Sequence, residues 1–284
     1  MRFAITLGQL NPAFWADACL AADECGYESV WLPEHLVLPV QMAGQLVPGE
    51  EHAPIPASTP VFDAVAWLAW MAAQTRSLRL GTFVYLLGIR HPFVGARAFA
   101  TLDVLSQGRA EVGVGAGWLT TEWEAVGLDP SARGPRLDEA IDVCRRLWTE
   151  DVIAHDGPAF PFDEVMFEPK PVQRPHPPIS IGGESGRALR RAAVRGDGWL
   201  GMFHDPASAA AQVERLRGFE RDLRTFDAPV DVTVMGQVRT PADVEAFAAA
   251  GVDRLIVVPW TRSPDAVHDL RAFASSFGLT AAHA

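Results

Sequence analysis

The sequence predicts an α/β protein whose single domain, residues 1–284, is a (β/α)8 TIM barrel. Short apolar and β-branched segments alternate with longer helical patterns as far as the C-terminus. This alternation is typical of parallel strands covered by helices. Eight such units are present, the number that closes a barrel, and the length allows insertions after strand 2 and before strand 5. A doubly wound open sheet is the alternative arrangement of the same units.

The composition narrows the class of protein. Hydrophobic residues make up 49% and charged residues 21% of the chain, which excludes a disordered protein because a disordered chain buries too little apolar surface. The formal net charge of −11 argues against a nucleic-acid partner, since phosphate binding needs clustered basic side chains. The first residues show no apolar signal core followed by a cleavage site, so we expect no signal sequence, and no apolar run reaches the roughly 18 residues of a membrane helix. We therefore expect a cytoplasmic protein with no membrane partner.

The first half of the chain contains four of the predicted strands. They lie at residues 3–7, 28–32, 78–87 and 110–115, and helical patterns follow them at 14–25, 62–75, 91–105 and 136–148. An irregular segment with six prolines, residues 33–60, follows strand 2. Loops of this length inside a compact domain are commonly functional. We interpret residues 38–60 as a mobile cover of the site.

The second half contains strands at 179–182, 198–201, 230–235 and 254–259, with helices at 186–195, 206–224, 241–250 and 264–277. Before strand 5, residues 151–178 carry apolar side chains at alternating spacing, which predicts a small inserted hairpin. Cys19, Cys25 and Cys144 lie in helical patterns. Their odd number and spacing fit neither a disulfide framework nor a zinc site, so we expect reduced thiols.

Residues that directly follow the strands form the candidate active site, because barrel enzymes bind ligands at the carboxyl ends of their strands. These residues are rich in glycine and aromatic side chains, and His35 is the only histidine that we expect among them. Such a set suits a planar aromatic ligand with a phosphate better than it suits hydrolysis. The candidates are Gly8, Glu34, His35, Gly115, Gly117, Trp118, Gly182, Gly183, Glu184, Ser185, Phe203 and Trp260.

Residues 182–185, Gly-Gly-Glu-Ser, precede a predicted helix and have two interpretations. Bare glycines and free N–H groups at a helix N-terminus attract an anion, and Ser185 adds a hydroxyl donor. Ser185 is equally suited to cap the helix while the glycines form the turn. A helix cap and a phosphate cradle use the same atoms, so these residues alone leave both interpretations open.

His35 is the candidate catalytic residue. Imidazole titrates near neutral pH and can exchange the proton that accompanies a hydride transfer. A loop histidine bonded to its own backbone is the alternative. Glu34 is placed to orient His35 or to act as the base instead, although an ionised carboxylate is a poor proton donor at neutral pH.

Near-matches to other motifs argue against other functions. Residues 113–118 lack the last glycine of a G-x-G-x-x-G dinucleotide site. Arg187 stands where a nucleophile elbow needs glycine. The sequence contains no His-x-His pair after strand 1 and no His-Glu-x-x-His, so we expect no catalytic metal.

Several sequence blocks occur in order across residues 1–200. They are ESVWLPEH at 28–35, LGT at 80–82, ATLDVLSQGR at 100–109, VGVGAGW at 112–118 with Glu122, PKPVQRPHPPI at 169–179, IGGES at 181–185 and RGDGW at 195–199. Together these blocks resemble the luciferase-like monooxygenase superfamily. The resemblance is strongest to the actinobacterial branch that uses the deazaflavin coenzyme F-420.

The resemblance implies a (β/α)8 barrel that binds a flavin or deazaflavin across the strand ends. By this resemblance, residues 182–185 would hold the coenzyme phosphate and His35 would face the reactive carbon of the ring. A non-proline cis peptide at Phe83–Val84 would form a bulge behind the ring. The implied cofactor-binding residues are Gly8, Thr82, Phe83, Val84, Gly115, Gly117, Gly182, Gly183, Glu184 and Ser185.

Trp118 departs from the family pattern. The sugar-phosphate dehydrogenases of this branch have an acidic residue at that position, so a carboxylate proton partner is missing there and an indole forms an apolar wall instead. We therefore expect a rather apolar substrate, with Trp118, Phe203 and Trp260 in its pocket.

The sequence thus predicts an oxidoreductase that transfers a hydride between coenzyme F-420, an 8-hydroxy-5-deazaflavin, and a small organic substrate. The alternatives are an FMN-dependent monooxygenase, a non-catalytic flavin-binding protein and, least supported, a serine hydrolase. The family also favours a homodimer, with Trp67, Trp70 and Phe99 as candidate contacts because interface cores are rich in aromatic side chains.

Overall fold

Eight parallel strands close into a barrel in the computed structural model, which describes residues 1–45 and 55–281. The strands are β1 (Arg2–Thr6), β2 (Ser29–Leu32), β3 (Arg79–Thr82), β4 (Ala110–Val114), β5 (Val152–His155), β6 (Phe162–Met166), β7 (Ile179–Gly182), β8 (Gly198–His204), β9 (Asp231–Gly236) and β10 (Arg254–Val257). β5 and β6 form a separate pair, and the other eight form the barrel in chain order, with β1 between β2 and β10. The predicted (β/α)8 fold is confirmed, and the alternative prediction of a doubly wound open sheet is wrong.

Helices cover the outside of the barrel. Within the described residues they are α1 (Trp15–Cys25), α2 (Ala64–Ala72), α3 (Pro92–Leu105), α4 (Thr120–Ala125), α5 (Arg133–Thr149), α6 (Gly186–Arg195), α7 (Pro206–Leu223), α8 (Pro241–Ala249) and α9 (Ala266–Phe277). The short helix α4 was not predicted from the sequence, whereas each of the others corresponds to a predicted helix. None of the described helices is long and apolar enough to cross a membrane.

The hairpin predicted within residues 151–178 is confirmed. β5 and β6 are antiparallel, with Ile153 opposite Val165. The hairpin is attached to α5 through Glu139, whose carboxylate accepts the backbone N–H of Phe160 at 2.8 Å and lies 3.1 Å from Nε2 of His155. The insertion therefore packs on the outside of the barrel.

Two barrel strands differ most from the prediction, and both of these differences lie at their carboxyl ends. β3 stops at Thr82, and the Phe83–Val84 peptide bond that follows it is cis. The chain meets β4 again at Tyr85, whose N–H donates to the carbonyl of Gly113 at 2.7 Å. β8 continues beyond its predicted end to residue 204, because its register against β9 shifts within residues 201–204 and then resumes.

Side chains fill the interior of the barrel. The buried cluster inside it consists of Ala4, Trp31, Phe83, Leu200, Met235 and Ile256. Gly81 leaves room for the largest of these side chains, since a Cβ at that position would lie 2.5 Å from the indole ring of Trp31. Because the interior is packed, a ligand has to bind at an end of the barrel and not along its axis.

Ion pairs occupy the amino ends of the strands. The guanidinium of Arg254 lies 2.6 Å from Glu28 and 3.5 Å from Glu111. Arg79 also pairs with Glu111, at 2.5 Å. The Arg254 guanidinium lies over the ring of Trp31, 5.4 Å from its centroid, and so joins this network to the apolar interior. The carboxyl ends of the strands are left for the candidate site.

The structure overturns one predicted subunit contact. Phe99 is fully buried within one chain, where its ring meets that of Tyr85 at 5.1 Å, so the prediction that it contacts a second subunit is wrong. Helix α3 turns this side chain towards the barrel. Trp70, in contrast, is 52% exposed on α2.

Residues 46–54 of the predicted cover lie outside the described residues.

Candidate active site

His35 lies three residues beyond the end of β2 and is paired with Glu122. Its Nδ1 atom is 2.9 Å from Oε2 of Glu122, whose side chain is 1% exposed in the first turn of α4. The indole of Trp118 meets the imidazole edge-on, with the ring centroids 5.9 Å apart. The imidazole itself is 17% exposed, so it keeps limited access to solvent. The candidate catalytic residue is thus held by a carboxylate and bordered by an aromatic wall.

Glu34 does not orient His35, and that interpretation is wrong. Its carboxylate is bound by Arg90 at 2.5 and 3.3 Å and accepts the backbone N–H of Leu86 at 2.9 Å. The Arg90 guanidinium in turn lies 4.4 Å from the centre of the Tyr85 ring. Burial raises the pKa of Glu34, although Arg90 and the Leu86 N–H oppose that shift. Glu34 therefore holds the chain just after the bulge of β3 instead of facing His35.

The bulge after β3 has the cis peptide that the family resemblance implies. The Val84 side chain lies against two glycines of neighbouring strands, because a Cβ at Gly115 or Gly182 would come within 2.4 or 2.5 Å of its methyl groups. The Thr82 hydroxyl donates to the carbonyl of Gly113 at 2.7 Å and is fully buried. The structure therefore brings these predicted residues together at the carboxyl ends of β3, β4 and β7.

Ser185 caps α6 in the structure. Its Oγ accepts the backbone N–H of Ala188 at 3.2 Å, and Gly183 has a φ of 121°, which favours glycine. The hydroxyl proton of Ser185 remains available as a donor, since this cap uses only a lone pair of the oxygen. The capping interpretation is confirmed, and it leaves the anion-binding interpretation open.

The side chain of Glu184 is engaged with β8. Its Oε1 accepts the backbone N–H of Met202 at 2.7 Å, and its Oε2 lies 3.0 Å from Nε2 of His204. Nδ1 of His204 lies 3.1 Å from the hydroxyl of Ser208. Any contact of Glu184 with a cofactor would therefore come from its backbone.

His204 is a site residue that the sequence reasoning missed. The expectation that His35 is the only histidine directly after a strand is wrong, because β8 itself reaches residue 204. Its imidazole is 7% exposed and bonded on both sides, so it fixes the end of β8 and is not available to a ligand. The bulge that lengthens β8 has no local sequence signal that would have shown it.

The remaining candidates differ in exposure. Phe203 is 59% exposed and has a φ of 60°, a left-handed conformation that is rare for an aromatic residue. Trp260 is 5% exposed and packs in the main core, where its Nε1 has no partner among the described residues. Gly8 lies against Pro33, 3.0 Å from the position of a Cβ, and Gly117 has a φ of 78°. Phe203 therefore presents an aromatic surface at the strand ends, whereas Trp260 belongs to the buried core.

Glu122 is the second residue that the sequence reasoning did not place in the site. It belongs to a block that carries the family resemblance, which was the available signal, but 87 residues separate it from His35. Its carboxylate binds the imidazole of His35 and the backbone N–H groups of Leu36 and Val37. Among the described residues, no group of three His, Cys, Asp or Glu side chains could hold a metal ion.

These features define a class of protein: a (β/α)8 barrel with a histidine, a bulged strand and a glycine turn at the carboxyl ends of its strands. Comparison with known sequences gives the particular family. The model of the luciferase-like monooxygenase family matches residues 4–274, so the chain belongs to that family.

Known relatives and structural neighbours include dehydrogenases and a monooxygenase. An F-420-dependent glucose-6-phosphate dehydrogenase of Kineococcus radiotolerans is 34% identical over 233 residues, 80% of this chain and 64% of that protein. A monooxygenase structure from Streptomyces bottropensis has a TM-score of 0.75 and 22% identity, covering 97% of this chain and 98% of that one. An F-420-dependent secondary alcohol dehydrogenase with an F-420–acetone adduct has a TM-score of 0.78 and 17% identity, covering 97% of both chains. At these identities the two structures show the fold alone.

Proposed function

We propose that the protein transfers a hydride between coenzyme F-420 and a small, rather apolar organic substrate. The observation that carries this proposal is the pairing of His35 with Glu122 at 2.9 Å, which places a proton-exchanging group at the carboxyl ends of the barrel strands. The F-420-dependent dehydrogenase that is 34% identical supports the choice of coenzyme. The chemistry of the described residues supports the hydride transfer and the apolar substrate.

The described residues fit a flat ring that carries a phosphate. Val84 forms an apolar shelf against Gly115 and Gly182, where there is no space for a Cβ. At the edge of this shelf, the first turn of α6 offers N–H groups that have no partner within the helix. The hydroxyl of Ser185 adds a donor to them. These residues would hold the ring and the phosphate of the coenzyme.

His35 would move the proton that accompanies the hydride. When bound, the coenzyme supplies or accepts the hydride itself. The proton is exchanged at Nε2 of His35, because Nδ1 faces Glu122. Trp118 borders the imidazole edge-on and keeps water from that side of it.

Apolar side chains at the strand ends support an apolar substrate. Leu36 is 38% exposed, Val37 is 41% exposed and Phe203 is 59% exposed. Two charged groups of this region, Glu34 next to His35 in sequence and Glu122 paired with it in space, are buried and bonded to other protein groups. A substrate at this end would therefore meet mainly hydrocarbon and one imidazole.

The same family and fold leave an FMN-dependent monooxygenase as the second candidate, supported by the related monooxygenase structure. Titration with F-420 and with FMN, followed by tryptophan fluorescence from nine indoles, tests the coenzyme. We expect F-420 to bind and its reduced form to reduce an apolar enone, with 2-cyclohexen-1-one as the first probe, without oxygen. Binding of FMN alone together with oxygen consumption would establish the monooxygenase, and binding without any turnover would favour a non-catalytic flavin-binding protein.

Replacement of His35 tests its role in this reaction. His35→Ala should lower kcat by about 10²–10⁴-fold, the usual contribution of general acid–base catalysis, and should bind coenzyme within a few-fold of the parent. His268→Ala, an exposed histidine on α9, is the matched control and should leave both quantities unchanged. If His35→Ala keeps its turnover, or loses coenzyme affinity in proportion, His35 only lines the pocket.

We also propose that the chain forms a homodimer through α2 and α3. These helices pack side by side on the outside of the barrel. They expose Trp70, Val94 and Leu105, each more than half exposed. Aromatic and aliphatic side chains of this kind are concentrated in the cores of subunit interfaces.

A further inference from the structure

We propose that Glu122 is the positioning residue of this site, and that one carboxylate sets both the tautomer of His35 and the path of the chain after it. This inference deepens the proposed function and rests on it for its catalytic consequence. The two carboxylate oxygens of Glu122, Oε1 and Oε2, bind different groups.

Oε1 of Glu122 holds the backbone that follows His35. It accepts the N–H groups of Leu36 at 2.5 Å and of Val37 at 3.2 Å. These residues belong to an irregular segment after β2, so they have no strand or helix to satisfy their N–H groups. Each backbone N–H group needs a hydrogen-bond acceptor, and here a buried side chain 86 and 85 residues away along the chain supplies it.

Oε2 of Glu122 faces Nδ1 of His35 at 2.9 Å. A carboxylate only accepts hydrogen bonds, so Nδ1 has to carry a proton. In the neutral imidazole the other nitrogen, Nε2, is then without a proton and can accept one from a substrate. Glu122 thereby selects the tautomer that the proposed reaction needs when a hydroxyl group is oxidised, and it stabilises the imidazolium needed for the reverse direction.

Helix α4 holds this carboxylate in place. Glu122 is 1% exposed, and its neighbour Trp123 is fully buried, with Nε1 donating to the carbonyl of Ala116 at 3.2 Å. The same segment that Glu122 binds returns to the start of α4, where the carbonyl of Ala43 accepts the N–H and the hydroxyl of Thr120 at 2.8 and 2.9 Å. Both ends of residues 36–43 are therefore fastened to α4.

Glutamine at this position separates the two roles. In Glu122→Gln the amide oxygen can still accept the N–H groups of Leu36 and Val37, while the amide NH2 faces Nδ1 and can only donate to it. The neutral imidazole then has to carry its proton on Nε2. Glu122→Ala removes both roles, and Glu124→Gln, an exposed residue of the same helix, is the matched control.

The experiment measures the coenzyme-free protein first. Nitrogen-15 NMR of the His35 ring should report a proton on Nδ1 in the parent and in Glu124→Gln, and on Nε2 in Glu122→Gln. Amide hydrogen exchange at Leu36 and Val37 should stay within a few-fold of the parent in Glu122→Gln and accelerate at least tenfold in Glu122→Ala. With F-420 and the enone probe, Glu122→Gln should bind coenzyme normally and lose about 10²–10⁴-fold in kcat.

Different results overturn different claims. An unchanged tautomer in Glu122→Gln, or exchange at Leu36 and Val37 that Glu122→Ala does not accelerate, overturns the positioning role. A switched tautomer with undiminished kcat overturns its catalytic consequence. If the parent shows no reaction with F-420, the proposed function fails, while the NMR and exchange measurements still decide whether Glu122 positions His35 and its segment.

Discussion

At the scale of single residues, Phe203 and Gln107 share an uncommon backbone conformation. Among the described residues other than glycine they have positive φ angles, 60° and 56°. An L residue in this region costs roughly 1–2 kcal/mol relative to the right-handed region, a cost that glycine avoids. Phe203 lies at the strand ends, held between Met202 and His204, which both bond to Glu184. Gln107 lies at the other end of the fold, after α3.

We predict that the two positions respond differently to glycine. Gln107→Gly should raise Tm by about 2 °C, since roughly 1 kcal/mol of strain is removed from a chain of this size. Phe203→Gly should be more stable than Phe203→Ala by a similar amount, but both should raise KM for the enone probe because the exposed ring is lost. Thermal unfolding and steady-state kinetics measure the two effects. Equal stability of Phe203→Gly and Phe203→Ala would show that the backbone there is unstrained.

The limits of the sequence reasoning are clearest at this scale. His35 and the glycines of residues 182–185 could be selected because they follow strands, which the hydrophobic pattern locates. The partner of His35 could not, because tertiary folding alone brings Glu122 to it. Glu34 was assigned the wrong partner because neighbouring residues of an extended chain point to opposite sides, and sequence does not say which side meets Arg90.

At the scale of elements, Asp23 ties the end of α1 to the start of β3. Its carboxylate accepts the backbone N–H groups of Arg76, Ser77 and Leu78 at 2.7 to 2.9 Å. Partial burial raises the pKa of Asp23, but these hydrogen bonds outweigh burial and lower the pKa below its usual range. The ionised form is therefore favoured by folding.

This shift predicts a pH dependence of stability. A carboxyl group whose pKa is lowered by folding contributes stability above its unfolded pKa, near 4, and loses that contribution as the pH falls through the folded value. At pH 7, Asp23→Asn should unfold at a lower denaturant concentration than the parent. Its free energy of unfolding should be lower by roughly 1–3 kcal/mol, because charged hydrogen bonds are lost. The difference from the parent should shrink below pH 4. Asp17→Asn, an exposed residue of the same helix, is the control, and an equal effect there would contradict the role of Asp23.

The ends of the elements explain where the predicted and observed folds differ. Short, nearly continuous apolar runs located all eight barrel strands, because parallel strands covered by helices are buried on both faces. This pattern could not locate the end of β3, where the residues remain apolar while the backbone leaves the ladder at Phe83. It also missed α4, since six residues at Thr120–Ala125 are too few to show a helical period.

At the scale of the whole molecule, the exposed faces of α2 and α3 predict the oligomeric state. Trp70→Glu places a charge in the centre of the proposed interface, where it would have to be desolvated on association. We expect sedimentation to show a dimer for the parent and a monomer for Trp70→Glu at micromolar concentration. Met166→Glu, which changes an apolar residue of the hairpin that is even more exposed than Trp70, should stay dimeric. A parent that sediments as a monomer would contradict the proposal.

The ion pairs of Arg254 lie at the amino ends of the strands, and this position affects how substitutions at the carboxyl ends change the stability of the protein. Glu28 and Glu111 bind Arg254 at one end of the barrel, while Glu122 and Trp118 border His35 at the other. Substitutions at the reactive end therefore do not touch the charges that close the opposite end, and distant sites of this kind contribute almost independently to stability. A library of variants at residues 36–45, 118 and 203 would therefore explore new substrates with little loss in the free energy of unfolding.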